Sequence, residues 1–346
     1  MFAVRLAREL RMASVAMLAL LGACAAHSES SKKDPAKRQE KVVSSPNPNP
    51  APTLLRFDWG RELNAKVFAV REEFSIKGDS EQISRLEAEF QLHAERQGDR
   101  YVLTFSELSM KLDDKPIPES AQPAMIGPIT GLVLNYDIAA NGDFVSQHDF
   151  GRLQSFTERS YIDQNEKQPP EKRATQKEAQ QAMKSGSSSE VLQLDAARTW
   201  GALVGMWAGV TLTEGKPLTS NASVTIPVVD VPLTVHSTFE LVRHEACENG
   251  ARNRACIRLR ATSRPDATQL AVAQRKLKES TGGPVESLSM NGLQVEDRYE
   301  LLTDPETLRP RWAEWVRGAD IGGAEQGSDL LQSRQSIRTR MIFVYK

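Results

Sequence analysis

Strict alternation of apolar and polar residues over positions 86–95, within the predicted strand at 83–96, is the feature that most constrains the fold of this chain. The apolar positions are Leu86, Ala88, Phe90, Leu92 and Ala94. Glutamate, glutamine and histidine occupy the positions between them. A repeat of two places one set of side chains on each face of an extended strand, whereas a helix would mix the two sets. The pattern predicts a long antiparallel strand with one face packed and the other facing water.

Similar patterns predict further strands in two blocks. The first block also contains 67–76, 100–112, 131–138 and 144–148, and the second contains 223–229, 233–243, 256–261, 293–302, 311–317 and 333–345. Asn141-Gly142-Asp143 predicts a hairpin turn in the first block, and residues 303–307 predict a turn in the second. The patterns leave open whether the two blocks form one curved sheet or two lobes.

Helical patterns separate the two strand blocks. Residues 150–164 predict a short helix, and the polar stretch 163–189 predicts an exposed, mobile insertion. Ser187 and Glu190 then have the spacing of a capping box. The amphipathic helix that follows carries an apolar stripe of Leu192, Ala196, Trp200, Leu203, Val204 and Trp207. Such a stripe is more often core than binding site, but Trp200, Leu203 and Trp207 are candidates to line a hydrophobic groove. We therefore expect an α+β fold, with long antiparallel strands in a curved sheet and a few helices packed on one side.

The amino terminus has the organisation of an export signal. Arg5, Arg8 and Arg11 precede an uncharged apolar run at 12–21, which is too short to be a permanent membrane span. The sequence Leu20-Leu21-Gly22-Ala23-Cys24 follows and resembles the lipobox of bacterial lipoproteins. The resemblance covers residues 1–24 only. It implies that residues 1–23 are a signal peptide and that Cys24 carries the lipid. An ordinary secretory signal, cleaved between about positions 23 and 26, is the alternative.

The resemblance also implies a location and an organisation. Two or three acyl chains would anchor the protein firmly in a membrane of the cell envelope. Because no Asp follows Cys24, the outer membrane is favoured over the inner one. Residues 24–53 are rich in Ser, Lys, Pro and Asn and predict a disordered tether, and residues 54–346 form the strand-rich body. Beyond the lipobox, this body only loosely resembles uncharacterised strand-rich envelope lipoproteins.

The chain has three cysteines, and lipid on Cys24 would leave Cys247 and Cys256 as a pair. Asn249-Gly250 between them is a strong turn signal, and strand patterns lie on either side. We predict a disulfide across the arms of a hairpin, since an exported protein meets an oxidising environment. The spacing is not that of a redox-active Cys-x-x-Cys pair.

No local motif predicts catalysis. The five histidines are His27, His93, His148, His236 and His244, and the strand pattern would place His236 and His244 on one face. The chain contains no nucleophile elbow, P-loop or dinucleotide fingerprint. We expect no cofactor and no metal. The net charge of −1, with both signs interspersed, gives no basic face that could bind nucleic acid.

These observations favour a membrane-tethered, non-catalytic binding or interaction protein of the bacterial envelope. Its ligand would be a hydrophobic molecule, a glycan or another envelope protein, and the lipid would be its contact with the membrane. Two alternatives stay open. One is an envelope hydrolase whose residues meet only in three dimensions, through a cavity that gathers His93, His148 or His236 with a carboxylate. The other is a purely structural surface lipoprotein.

Overall fold

A computed structural model describes residues 51–77, 80–117, 136–148, 199–226, 231–247, 255–281, 293–321 and 333–345, with positions 193, 196 and 197. The strands are β1 Thr53–Leu54, β2 Glu62–Lys77, β3 Ser80–Gln97, β4 Arg100–Leu112, β5 Lys115–Pro116, β6 Tyr136–Ala139, β7 Phe144–Gln147, β8 Thr211–Leu212, β9 Leu218–Ile226, β10 Val231–Ala246, β11 Ala255–Pro265, β12 Leu293–Thr303, β13 Pro310–Ile321 and β14 Ser333–Tyr345. A π-helical turn spans Gly201–Gly205, and helix α1 spans Ala267–Thr281. The predicted signal peptide, nearly all of the tether, the helix at 150–164 and the insertion at 163–189 lie outside the described residues.

One antiparallel sheet holds twelve of the described strands. Its order is β7-β6-β4-β3-β2-β14-β13-β12-β11-β10-β9, with β5 paired to β4. β1 and β8 form a separate two-stranded ladder. The two predicted strand blocks therefore share one sheet, which is joined at its centre where β2 pairs with β14 along their length.

The expected α+β class is wrong, because the protein is mostly β. Of the described residues 69% are in strands and 11% in helices. The sheet curves over much of its own inner face, and the helices of the described residues do not form a continuous second layer. The helix predicted from the apolar stripe that contains Trp200 and Trp207 ends in the short π-helical turn. α1 was not predicted at all, although Asp266 and Gln269 have cap spacing, and the Asp266 side chain accepts a hydrogen bond from the Gln269 backbone.

The inner face of the sheet packs around a cluster of aromatic residues from two segments that cross it. Trp59 and Trp200 meet edge to face with ring centroids 5.4 Å apart. Phe57 contacts both Trp200 and Tyr101 of β4. Trp207 contacts Phe239 of β10 at 5.8 Å. Edge-to-face pairs contribute about 0.5–1.5 kcal/mol each beyond the area that they bury.

These contacts require the sheet to curve. The indole nitrogen of Trp200 donates a hydrogen bond of 2.7 Å to the carbonyl of Gly142, in the turn between β6 and β7. Trp207 contacts β10, eight strands away from β6 in the sheet order. Eight strand spacings would be about 38 Å in a flat sheet, whereas Trp200 and Trp207 are separated by only about 10 Å of helix. Both ends of the sheet therefore bend towards one short helical segment.

A polar row, buried except for the half-buried Ser237, divides the inner face. Ser237, Ser263, Asp297 and Arg317 lie opposite one another on β10, β11, β12 and β13. Arg317 donates two hydrogen bonds to the Asp297 carboxylate, at 2.8 and 3.2 Å, and both side chains are buried. The aromatic core lies on one side of this row. On the other side α1 covers a second apolar patch, made of Val231, Leu233, Val235, Leu270, Ala273 and Val295.

We expect Arg317→Met to lower the free energy of unfolding by about 3–5 kcal/mol, because it removes the charge and the two hydrogen bonds that Arg317 gives to the buried Asp297 carboxylate. The double variant Asp297→Leu/Arg317→Met should recover much of this loss. Urea unfolding measures both. Arg338→Met is the control, since Arg338 donates two hydrogen bonds to Glu314 in the same way on the exposed face. This substitution should lower the free energy of unfolding by about 1 kcal/mol or less. A double variant no more stable than the single one would contradict this account.

Candidate functional site

A cleft lies at the end of the sheet where the described chain begins. Its volume is about 610 Å³, within the range of small-molecule sites. The lining residues are Leu54, Leu55, Arg56, Phe57, Asp58, Asn141, Gly209, Glu306 and Thr307. They come from the amino-terminal segment, the turn before β7, the segment after the π-helical turn, and the turn between β12 and β13.

Backbone hydrogen bonds hold the amino-terminal segment in this cleft. Leu55 N–H donates to the carbonyl of Val210, and Gly209 N–H donates to the carbonyl of Leu55, both at 2.9 Å. On the other side Arg56 N–H donates to the carbonyl of Pro305. The segment is thus fixed on both sides by main-chain contacts, which makes this part of the cleft a rigid surface.

The cleft combines an apolar floor with a charged rim. Leu55 is fully buried beneath it, whereas Leu54 remains 43% exposed. Arg56 and Glu306 form an exposed ion pair at 3.5 Å across the rim. The Asp58 carboxylate accepts hydrogen bonds from Gly60 N–H and from the Tyr101 hydroxyl. Burial, and then the charge of Asp58, raises the pKa of Tyr101. Such a surface suits a ligand with an apolar body and a polar group.

The three predicted groove residues lie elsewhere, in the core. Trp200, Leu203 and Trp207 are 2%, 3% and 0% exposed. The indole nitrogen of Trp207 donates to the carbonyl of Ala202 at 3.0 Å, within its own segment. These residues support the cleft from below, because Trp200 packs against Phe57. They do not line it.

The cysteine pair forms a disulfide between β10 and β11. Cys247 and Cys256 have Cα atoms 5.0 Å apart and pack against Leu302 and Trp312. The Arg258 guanidinium lies over the Trp312 ring at 5.2 Å. These contacts on the outer face of the sheet are typical of a disulfide with a structural role. Cys24 lies outside the described residues.

Among the histidines that the structure describes, His148 has a buried carboxylate partner. Its Nε2 lies 2.9 Å from Oδ2 of Asp137, and Arg100 donates to the same oxygen at 3.1 Å. Ser146 Oγ lies 3.4 Å from this oxygen. Burial alone would raise the pKa of Asp137, but the hydrogen bond and charge of His148, followed by those of Arg100, lower it. The carboxylate is thus held ionised at the edge of the sheet. None of these residues lines the cleft or the smaller cavity beside the end of β14.

The remaining described histidines are half-exposed and separate. His93 contacts Asn64, and His236 contacts Asn221, each at 2.8 Å. His244 contacts Glu214 at 3.0 Å. The expectation that His236 and His244 share a face is wrong, because a bulge between Leu241 and Arg243 shifts the register. A bulge adds one residue and exchanges the faces of the strand beyond it. The arrangement that could favour a hydrolase, a histidine and a carboxylate within a cavity, is not formed by the described residues.

A smaller cavity of about 230 Å³ lies beside the end of β14. Glu62, Leu63, Asn64, Arg309 and Tyr345 line it. Burial raises the pKa of Tyr345, whose hydroxyl donates to the carbonyl of Pro310 at 2.6 Å. Arg309 donates to the carbonyl of Trp59, and the Trp59 indole donates to the carbonyl of Leu308. This region joins the aromatic core to the turn between β12 and β13.

Two kinds of feature are not formed by the residues that the structure describes. No three His, Cys, Asp or Glu side chains come together in a way that could hold a metal ion. None of the described helices combines the length and the hydropathy needed to cross a bilayer.

Comparisons with known proteins identify no family. No protein-family profile matches the chain, and no curated protein matches its sequence. Among solved structures, lipovitellin, described with its lipid–protein interactions, is 8% identical with a TM-score of 0.40, over 83% of this chain and 25% of its own. OccK2 (OpdF) of Pseudomonas aeruginosa, in complex with glucuronate, is 9% identical with a TM-score of 0.18, over 82% and 98% of the two chains. This chain spans a quarter of the lipovitellin chain. At these TM-scores neither structure bears on its function.

We expect Asp137→Asn to lower the free energy of unfolding at pH 7 by about 1–3 kcal/mol, because it weakens charge-assisted hydrogen bonds in a buried place. The pKa of Asp137 is lowered, so its stabilising effect is present above the usual aspartate pKa of about 3.9 and is lost as pH falls through the folded value. The difference from wild type should therefore narrow below about pH 4. Urea unfolding between pH 3 and pH 7 tests this. Asp99→Asn, at a carboxylate that is 95% exposed and lies 4.0 Å from Arg100, is the control and should leave the free energy of unfolding at pH 7 almost unchanged. If the difference in unfolding free energy between wild type and Asp137→Asn stayed constant from pH 7 to pH 3, the lowered pKa of Asp137 would be contradicted.

Proposed function

We propose that this protein is a lipid-anchored, non-catalytic binding protein of the bacterial envelope, and that the cleft at the start of β1 is its ligand site. The lipobox sequence supports the anchor, and the Pro-rich stretch supports a tether. The observation that carries the proposal is the position of the cleft. Its first lining residue is Leu54, directly after the end of the predicted tether at residue 53.

This position sets the distance between ligand site and membrane. A flexible chain of thirty residues has an average end-to-end distance of about 30 Å. An anchor on Cys24 would therefore keep the cleft close to the bilayer surface. We infer that the ligand comes from the membrane or from a protein at its surface. The outer membrane is the favoured location, on the absence of Asp after Cys24.

The chemistry of the cleft favours an amphipathic ligand. Leu54 and the half-buried Phe57 offer apolar surface, and Arg56 and Glu306 offer one charge of each sign at the rim. The lining includes no histidine, cysteine or lysine. A nucleophile held beside a base, which acyl transfer would need, is not found among these residues. The cleft is therefore better suited to binding than to hydrolysis.

Labelling with palmitate tests the anchor. The wild-type chain, expressed in a Gram-negative host, should incorporate labelled palmitate and sediment with membranes, whereas Cys24→Ser should do neither. The double variant Cys247→Ala/Cys256→Ala is the matched control, since it removes both other cysteines and should keep the label. Membrane association and normal processing of Cys24→Ser would refute lipid attachment.

Native mass spectrometry tests the cleft. We expect the chain purified from envelopes in mild detergent to carry an additional lipid-sized mass, since about 600 Å³ can hold part of such a molecule. Leu54→Arg should abolish the adduct, because it places a charge on the apolar surface of the cleft. Ile83→Arg is the control, at an apolar side chain that is 66% exposed and far from the cleft along the sheet. A wild-type chain that carries no adduct and cross-links to no envelope protein would refute a binding role.

A further inference from the structure

One edge of the sheet ends in a long strand with a free side. β9 is the last strand in the sheet order and pairs with β10 in unbroken register from Leu218 to Ile226. Among the described residues it has no other neighbour in the sheet. Leu218, Thr219, Asn221 and Ser223 are exposed. Nine residues extend over about 30 Å and leave alternate main-chain groups without a strand partner.

Within the part of the chain that the structure describes, this edge lacks the features that usually protect edge strands. Proteins prevent edge pairing with lysine, proline, bulges or very short strands. β9 contains no charged residue and no proline, and its pairing shows no bulge. The opposite edge strand, β7, has only four residues. An unprotected edge of this length favours addition of another strand.

The sequence of β9 is complementary to itself. Antiparallel pairing with a second copy, centred on Ala222, would place Asn221 opposite Ser223, Thr219 opposite Thr225, and Leu218 opposite Ile226. Threonine–threonine and aliphatic pairs are favourable across strands, and no pair brings like charges together. Because β9 alternates between faces, the pairing would also join the inner face of one sheet to the inner face of the other.

We propose that β9 is a self-association edge, through which two copies of this chain join their sheets about a two-fold axis at Ala222. The axis is perpendicular to the sheet, so the contact is isologous. An antiparallel ladder of nine positions provides about eight to ten main-chain hydrogen bonds. α1 does not obstruct the edge, because it packs over β10 and β12. The inference is independent of the ligand of the cleft.

Cysteine cross-linking tests the register. In the mature full-length chain, in its own membranes, Ala222→Cys would face itself across the axis, with Cα atoms about 5 Å apart. Oxidation with copper phenanthroline should convert most of this variant to a disulfide-linked dimer. Thr219→Cys is the matched control on the same strand. Its two copies would be about 20 Å apart and should stay uncross-linked. Equal cross-linking of the two variants, or none with Ala222→Cys, would overturn the proposed axis.

Sedimentation of the full-length chain in detergent tests the association itself. The wild type should be a dimer at micromolar concentration. Ser223→Lys should shift the equilibrium at least tenfold towards monomer, because the two lysines would be diagonal neighbours about 7–8 Å apart across the axis. Thr219→Lys adds the same charge to the same face, far from its symmetry mate, and should have a smaller effect. A monomeric wild type, or equal effects of the two lysines, would overturn the proposal. Circular dichroism confirms that each variant is folded.

Discussion

The structure depends on the pairing of the first long strand with the last. β2 and β14 meet along thirteen positions, from Ala65 opposite Tyr345 to Lys77 opposite Ser333. Neither half of the chain can therefore complete the sheet before the whole chain is made. Contacts of this kind bring together residues such as Glu72 and Arg340, which are 268 positions apart. Non-local pairing predicts slow folding, since the loop must close before the contacts stabilise it.

The aromatic residues stabilise this arrangement because they contact both halves. Phe57 lies against Tyr101 in the first half, and Trp207 lies against Phe239 in the second. Trp59 and Trp200 contact each other and so join the amino-terminal segment to the segment that contains the π-helical turn. The same residues shape the cleft, whose wall they support from below. Core packing and the candidate site are thus built from one set of contacts, and changes to the aromatic core will alter the cleft.

Much of the strand pattern could be predicted from sequence. The strand at 100–112 and the strand at 333–345 have the predicted bounds, and the period of two over β3 places Ala88, Phe90 and Leu92 in the core. Strands of this length carry a strong periodic signal. α1 has a weak one, because only its Leu270 and Ala273 are fully buried among the side chains described. The fold class was wrong for a related reason, since sequence does not show that a sheet curves over its own core.

The candidate site could not be predicted, because four distant parts of the chain form it. Leu54, Asn141, Gly209 and Glu306 have no shared spacing and no motif. The opposite faces of His236 and His244 could not be predicted either. A single extra residue after Leu241 exchanges the two faces of β10 for all the residues that follow. The buried polar row was missed for a different reason. Its residues are adjacent only across strands, so their pairing depends on register.

The two proposals together constrain how the protein lies on a membrane. The cleft and the amino-terminal segment are at the end of the sheet where β9 begins. A two-fold axis at Ala222 reverses the strands of the second copy, so the two clefts would lie at opposite ends of the joined sheet. β10 is about 50 Å long, whereas each coiled tether spans about 30 Å on average. Both anchors reach one bilayer with least extension when the strands run parallel to its surface. Anchoring would also raise the effective concentration of the copies and so favour a contact made mainly of main-chain hydrogen bonds.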